Sequence, residues 1–210
     1  HSVTDGERAR LLSLEDAMQK RVIGQPDGIR AVVSALKRAR IDIAGRQKPI
    51  GTFLFLGPTG VGKTQTAKVL AEEYFGSASA LIRVDMNEYA QANAAETLIG
   101  LGDPTGSPLT RAVQDKPFSV ILLDEIEKAH PSILNLFLQI LDEGVLNAGD
   151  GMVVDFRNTI IIATSNAGAL FIRDATMKEG SSDKATMRRK LLDYVQEQQT
   201  FSPEFINRFD

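Results

Sequence analysis

Three apolar runs separated by helical patterns predict an α/β fold built on a parallel sheet with both faces covered. The runs are Thr52 to Leu56, Val120 to Leu123 and Thr159 to Ala163. None alternates between apolar and polar, as a strand open to water on one face does, so each reads as a strand buried on both sides. The intervening segments repeat apolar residues at three- and four-residue spacings, the period of helices packed on a sheet. Such a sheet binds ligands at the C-terminal ends of its strands.

The composition fits this class and excludes others. The chain has 210 residues, 43 % hydrophobic and 24 % charged, enough for a sizeable core and unlike disordered, collagen-like or coiled-coil sequences. There is no cysteine, and the two histidines are His1 and His130. A disulfide framework and a cysteine zinc site are therefore excluded, and a reducing, cytoplasmic setting is expected. With 24 basic and 27 acidic residues the net charge is −3, which argues against a general phosphate-backbone binder, so no nucleic-acid partner is expected. No apolar run approaches the roughly 20 residues that span a bilayer, and no membrane partner is expected.

Residues 1–3 read as a tag remnant or linker, and Thr4-x-x-Glu7 is a capping box that opens the first helix. Leu11, Leu14 and Met18 give that helix one apolar face up to about Val22, where Gly24-Gln25-Pro26 breaks it. Pro26 suits the first turn of a second helix, along which Ile29, Val32, Val33 and Leu36 repeat before a stop near Gly45. After the strand ending at Leu56, Lys63 to Phe75 is helical and Gly76 ends it. Leu81 to Val84 is strand-like, Ala94 to Ile99 helical, and Ser107-Pro108 starts a further helix. A helix from Pro131 to Leu141 turns Ile133, Leu134, Phe137, Ile140 and Leu141 inward; Gly149-Asp150-Gly151 then turns a hairpin between Val145-Leu146 and Val153-Val154. Met187, Leu191 and Val195 line the last long helix, after a loop at Gly180 to Asp183.

The strongest motif follows the first strand directly. Gly57-Pro58-Thr59-Gly60-Val61-Gly62-Lys63-Thr64 satisfies G-x-x-x-x-G-K-[ST] in the required strand, loop and helix context. Average residue frequencies produce this pattern by chance in about one chain of this size in a hundred. Its backbone N–H groups and the helix N-terminus suit phosphate oxygens, Lys63 suits the β and γ phosphates, and Thr64 suits Mg²⁺. ATP or ADP with Mg²⁺ is therefore the expected ligand.

Val120 to Leu123 delivers Asp124 and Glu125 to the same edge of the sheet. Asp124 is expected to hold the Mg²⁺ shell and Glu125 to polarise the attacking water. The alternative use of this pair, capping the next helix, loses its weight beside the phosphate loop. Asn166, which follows the third strand in Thr164-Ser165-Asn166, can orient that water, although asparagine after a strand is more often a turn residue. His130 stands at a helix boundary, where a structural role outweighs acid-base work.

Longer strings carry a family resemblance. Arg21-Val22-Ile23-Gly24-Gln25, Leu123-Asp124-Glu125-Ile126-Glu127-Lys128-Ala129-His130-Pro131, Asp155-Phe156-Arg157-Asn158-Thr159 and Pro203-Glu204-Phe205-Ile206-Asn207-Arg208 occur here together with the phosphate loop. The sequence from Glu7 to Asp210 thereby resembles the second ATPase module of Clp-type AAA+ unfoldases and disaggregases. The resemblance implies a P-loop large subdomain over residues 4–210, with a parallel five-stranded sheet flanked by helices and without the small helical subdomain that follows in the family. It also implies a homo-hexameric ring that hydrolyses ATP to thread unfolded or aggregated polypeptide. By motif match Val22 and Ile23 contact adenine, Asn166 is sensor 1, and Arg208 is the arginine finger given to a neighbouring subunit.

Two departures refine the expectation. Leu101 to Pro108 is shorter than the family's pore loop and lacks its Gly-Tyr-Val-Gly aromatic, which makes Tyr89 the nearest upstream substitute. Ala169 to Thr200 contains no Ile-Gly-Phe-like tripeptide of the protease-coupled members, so a protease partner is not supported and the disaggregase branch is favoured. Two rival functions share the phosphate loop: a nucleic-acid-directed AAA+ loader, and a nucleotide-gated ring component that assembles without pulling substrate.

Overall fold

The computed structural model describes residues 5–22, 26–41, 47–57, 61–100, 108–148, 151–168, 184–197 and 201–209. Helices α1 (Asp5–Arg21) and α2 (Pro26–Ile41) precede β1 (Gly51–Leu56) and α3 (Val61–Tyr74). Next come β2 (Leu81–Asp85), α4 (Ala94–Ile99), α5 (Pro108–Asp115), β3 (Val120–Asp124) and α6 (Pro131–Glu143). The hairpin strands β4 (Val145–Ala148) and β5 (Met152–Asp155), then β6 (Ile160–Ser165), α7 (Lys184–Glu197) and α8 (Pro203–Ile206), complete the order. Thr4 of the expected capping box, the Gly149-Asp150 turn and the Gly180 to Asp183 loop lie outside the described residues.

The main sheet is parallel with strand order β1-β6-β3-β2. It has four strands among the described residues, where five were expected. The hairpin does not enlarge it, because β4 and β5 pair only with each other, antiparallel. Burial accounts for this separation: β5 exposes Met152, Val153 and Asp155 and buries Val154, whereas β6 is buried at every residue. A one-faced hairpin cannot sit inside a sheet that is covered on both sides.

Period-two geometry divides the sheet's side chains between two layers. Ile82, Val84, Ile121, Leu123, Ile161 and Ala163 pack with α4, α5, α6 and the hairpin, joined by Phe205 of α8 and by Phe201 just before it. Val120, Leu122, Ile160, Ile162 and Phe53 pack on the other face with α1, α2 and α3. Of the expected helix faces, Leu11, Leu14, Met18, Ile29, Val32, Val33 and Leu36 are all buried, while Leu134 of α6 and Met187 and Leu191 of α7 are only partly so. Each fully buried leucine or isoleucine contributes about 1.5–3 kcal/mol, so strands this apolar hold the sheet rigid.

Register then fixes where chemistry can occur. Leu56 pairs with Ser165, Leu123 with Ala163, and Asp85 with Asp124. All four strands therefore end on one edge, carrying Gly57, Met86, Glu125 and Asn166 just beyond it.

Candidate nucleotide site

Lys63 is anchored at this edge by the strands themselves. Its Nζ donates to the carbonyl oxygen of Gly57 at 2.5 Å and to that of Ser165 at 3.0 Å. The residue is buried, at 7 % exposure, although it carries a cation. Burial pushes the ammonium below its ordinary pKa, against the opposing pull of Glu127 and Asp124. A buried cation whose Nζ is held by two backbone carbonyls, with Glu127 and Asp124 acting on it only through their charge, is a suitable donor for an anionic ligand. Gly57, with φ of 143°, turns the chain out of β1, and its N–H still bonds the Ser165 carbonyl at 3.1 Å. Helix α3 then starts at Val61 and includes Gly62, Lys63 and Thr64. Pro58, Thr59 and Gly60 lie outside the described residues.

Thr164 couples the two acidic residues. Its Oγ1 donates to Asp124 Oδ1 at 2.7 Å and accepts the backbone N–H of Glu125 at 3.2 Å. The second Asp124 oxygen accepts from Arg83 Nη2 at 2.7 Å. Glu125 adopts the left-handed conformation, φ 56° and ψ 55°, and is the one non-glycine residue with positive φ among the described residues. An L-residue with a side chain enters this region at a cost, and such strain concentrates at functional positions. The turn separates the two side chains: Asp124 stays with β6, while Glu125 Oε2 accepts from Asn87 Nδ2 at 3.0 Å and stands 3.4 Å from Lys128 Nζ.

Asn166 sits next to Lys63's second anchor. Its N–H donates to Glu127 Oε1 at 3.2 Å, and the other Glu127 oxygen is buried without a hydrogen-bond partner among the described residues. The structure places Gly57, Lys63, Asp124, Glu125 and Asn166 together at this edge. Arg83, Asn87, Thr164 and Glu127 belong to the same cluster and were missed. The available signal was positional: each stands on a strand of the sheet or just beyond its C-terminal end.

The donor set fits Mg²⁺ with a nucleoside triphosphate. Thr64 and Asp124 are hard oxygen donors, and the described residues hold no group of three or more His, Cys, Asp or Glu that could cage a metal. Mg²⁺ is commonly held by one or two protein oxygens together with substrate phosphates and water, so a full protein cage is not required.

Comparison with known proteins agrees. Residues 48–210 match the family described as AAA domain (Cdc48 subfamily). The chain belongs to this AAA family. It is also 47 % identical, over 99 % of its length, to the ATP-dependent Clp protease ATP-binding subunit ClpC of Staphylococcus epidermidis and to that of Staphylococcus aureus. It spans 26 % of the length of each. The likeness is consistent with an AAA ATPase module of the Clp type, and neither rival reading is favoured.

Other expected residues fall elsewhere in the AAA module. Val22 is buried with the α1, α2 and α3 side chains, and Ile23 lies outside the described residues. Tyr89 is no pore aromatic: it is buried in the core, which raises its phenol pKa, and its carbonyl accepts from the His130 N–H at 2.9 Å. Leu101 to Ser107 lie outside the described residues. His130 caps α6, its Nδ1 accepting from the Ser132 N–H at 3.2 Å.

Arg208 stands apart from the cluster. Its carbonyl accepts from Thr52 Oγ1 at 3.2 Å, near the start of β1, and its side chain reaches Asp142 at the end of α6. Thr52 and Gly57 are separated by roughly 16 Å of extended strand, farther than an arginine side chain reaches. Within one chain, the Arg208 side chain turns to Asp142 and not to Gly57 or Lys63.

Proposed function

We propose that this module binds Mg·ATP between subunits of a homo-hexameric ring and hydrolyses it to remodel unfolded or aggregated protein in the cytoplasm. The observation that carries the reading is the shared edge, where a buried lysine and two acidic residues coupled by Thr164 meet at the ends of neighbouring parallel strands.

In this proposal the phosphate loop from Gly57 to Thr64, including Pro58, Thr59, Gly60, Val61 and Gly62, surrounds the phosphates, and Lys63 donates to the β and γ groups. Thr64 and Asp124 hold Mg²⁺, which supplies charge neutralisation of the phosphate oxygens when bound. Glu125 takes a proton from the attacking water, and Asn166 orients that water. Adenine contact at Val22 and Ile23 is assigned by the family resemblance alone. Arg208 acts on the nucleotide of the adjacent subunit, a role supported by the engagement of its side chain with Asp142 rather than with Gly57 or Lys63 of its own chain. No docking tripeptide for a protease is present between Ala169 and Thr200, so the proposal stops at remodelling.

Two variants test it. Lys63→Ala is expected to abolish binding of a fluorescent nucleotide. Glu125→Gln is expected to keep binding and to cut phosphate release about 10²- to 10⁴-fold, because an amide retains the shape but cannot accept the proton. Unchanged affinity in the first or unchanged turnover in the second overturns the assignment.

A further inference from the structure

Arg208 is held at both ends by its own chain. Its N–H bonds the Phe205 carbonyl at 3.2 Å, and its carbonyl accepts from Thr52 Oγ1 at 3.2 Å. Phe205 is fully buried between Phe201 and Phe209, with ring centroids 5.6 and 5.1 Å away. Among the described residues the side chain makes one hydrogen bond, in which Nε–H donates to the Asp142 carboxylate, and one looser ion pair with Glu204. Nη2 stands 3.7 Å from Glu204, beyond hydrogen-bond range. Among the described residues neither Nη makes a hydrogen bond.

Asp142 is in an unfavourable place for a merely local role. It lies in the last turn of α6, which carries no basic residue there, so the helix dipole opposes its charge. The turn is anchored in place, because Gly144 closes the helix with φ of 67° and a Cβ added to it would stand 2.4 Å from the Gln47 carbonyl oxygen. The Asp142 and Arg208 side chains are 40 % and 31 % exposed, and an ion pair this open to solvent contributes little to stability.

We infer that Asp142 is the positioning residue of Arg208: by engaging Nε it fixes the plane of the guanidinium and leaves Nη1 and Nη2 without hydrogen bonds of their own among the described residues, available for bidentate contact with a phosphate on the neighbouring subunit. This rests on the reading of Arg208 as the residue given in trans. The guanidinium presents donors in a rigid fork, so holding it at Nε orients the two remaining nitrogens together. Glu204 does not substitute, being a turn away on the same segment and 65 % exposed.

The test uses the full-length protein with Asp142→Ala, Asp142→Asn, Asp142→Glu, Arg208→Ala and the double variant Asp142→Ala/Arg208→Ala. Phosphate release, nucleotide affinity and thermal melting are measured for each. Asp142→Ala is expected to lower kcat about tenfold or more with KM and melting nearly unchanged, since misplacement of a catalytic group by about 1 Å costs up to a hundredfold. The double variant is expected to be no slower than Arg208→Ala, and Asp142→Glu to recover part of the loss. Asp142→Asn keeps an acceptor oxygen and is expected to fall between wild type and alanine; it carries the same test if the alanine variant does not fold. Wild-type kcat in both Asp142→Ala and Asp142→Asn beside a slow Arg208→Ala overturns the positioning role, as does a double variant whose losses multiply. Normal turnover in Arg208→Ala overturns the trans reading itself, whatever Asp142 does.

Discussion

Asn87, two residues beyond β2, donates its Nδ2–H to Glu125 Oε2 over 3.0 Å. The bond crosses from one strand end to the next, because β2 and β3 pair in parallel and finish together at Asp85 and Asp124. Lys128 Nζ stands 3.4 Å from the same oxygen. In the proposed role of Glu125 as general base, both donors draw on the lone pairs it would offer to water. Asn87→Ala leaves that oxygen to Lys128 and solvent, so basal ATP turnover is expected to rise about two- to tenfold, with nucleotide affinity unchanged. A fall in phosphate release would instead mean that the amide holds Glu125 in its working position.

Thr164 uses one hydroxyl to serve both acidic residues. It is 3 % exposed, and valine has nearly its shape. Thr164→Val leaves the Glu125 N–H without its partner in a partly buried, left-handed turn. The variant is expected to lose about 1–3 kcal/mol in denaturant unfolding. Turnover is expected to drop about tenfold or more as the acid pair loosens. Thr164→Ser restores the hydroxyl and is expected to restore both; if it does not, the bridging bonds are not the cause.

Burial lowers the pKa of Lys63 in the folded protein below the ordinary lysine value of 10.5. Between the folded and unfolded values the unfolded chain binds more protons, so this group makes stability rise with pH in that window. Its desolvation penalty is fully present below the folded pKa and is relieved as pH rises to 10.5. The unfolding free energy of wild type relative to Lys63→Gln, without nucleotide, is expected to increase as pH is raised toward 10.5. Saturating ATP surrounds the ammonium with anionic oxygens and is expected to flatten the dependence. A difference that is constant with pH in the absence of nucleotide counts against a buried, charged Lys63.

Much of the sheet was legible because β3 and β6 need both faces apolar, and a short apolar run without alternation, bounded by turn residues, suits a strand covered on both sides. The phosphate loop was legible because glycine, lysine and threonine at fixed spacing serve one kind of ligand. The fifth strand was expected from resemblance, and no residue pattern demanded it; the remaining strand-like pieces, Val145 to Ala148 and Met152 to Asp155, satisfy each other. Arg83, Asn87 and Thr164 were not legible. Each looks ordinary in its own segment and gains its role from partners about 40 residues away that only strand order and register bring together. Tyr89 shows the reverse case: an aromatic near a loop invites a surface role, yet its ring completes the core beneath α4.

His130 supplies a last distinction between structure and chemistry. Its backbone N–H bonds the Tyr89 carbonyl, tying the start of α6 to the segment after β2, and its Nδ1 accepts from the Ser132 N–H. Pro131 follows in the first turn, where it has no N–H to leave unpaired. Helix α6 carries Ile133, Phe137, Ile140 and Leu141 into the core, so a weakened start is felt by the whole layer. His130→Ala removes the cap and is expected to cost about 0.5–2 kcal/mol, read as a lower melting temperature. His130→Asn retains a capping acceptor and is expected to recover most of it. In both variants, ATP turnover per folded molecule is expected to stay within about twofold of wild type, since the imidazole bonds to the cap of α6 and not to the carboxylates of Asp124 and Glu125. A loss of turnover of about a hundredfold at unchanged stability would assign the imidazole to proton transfer.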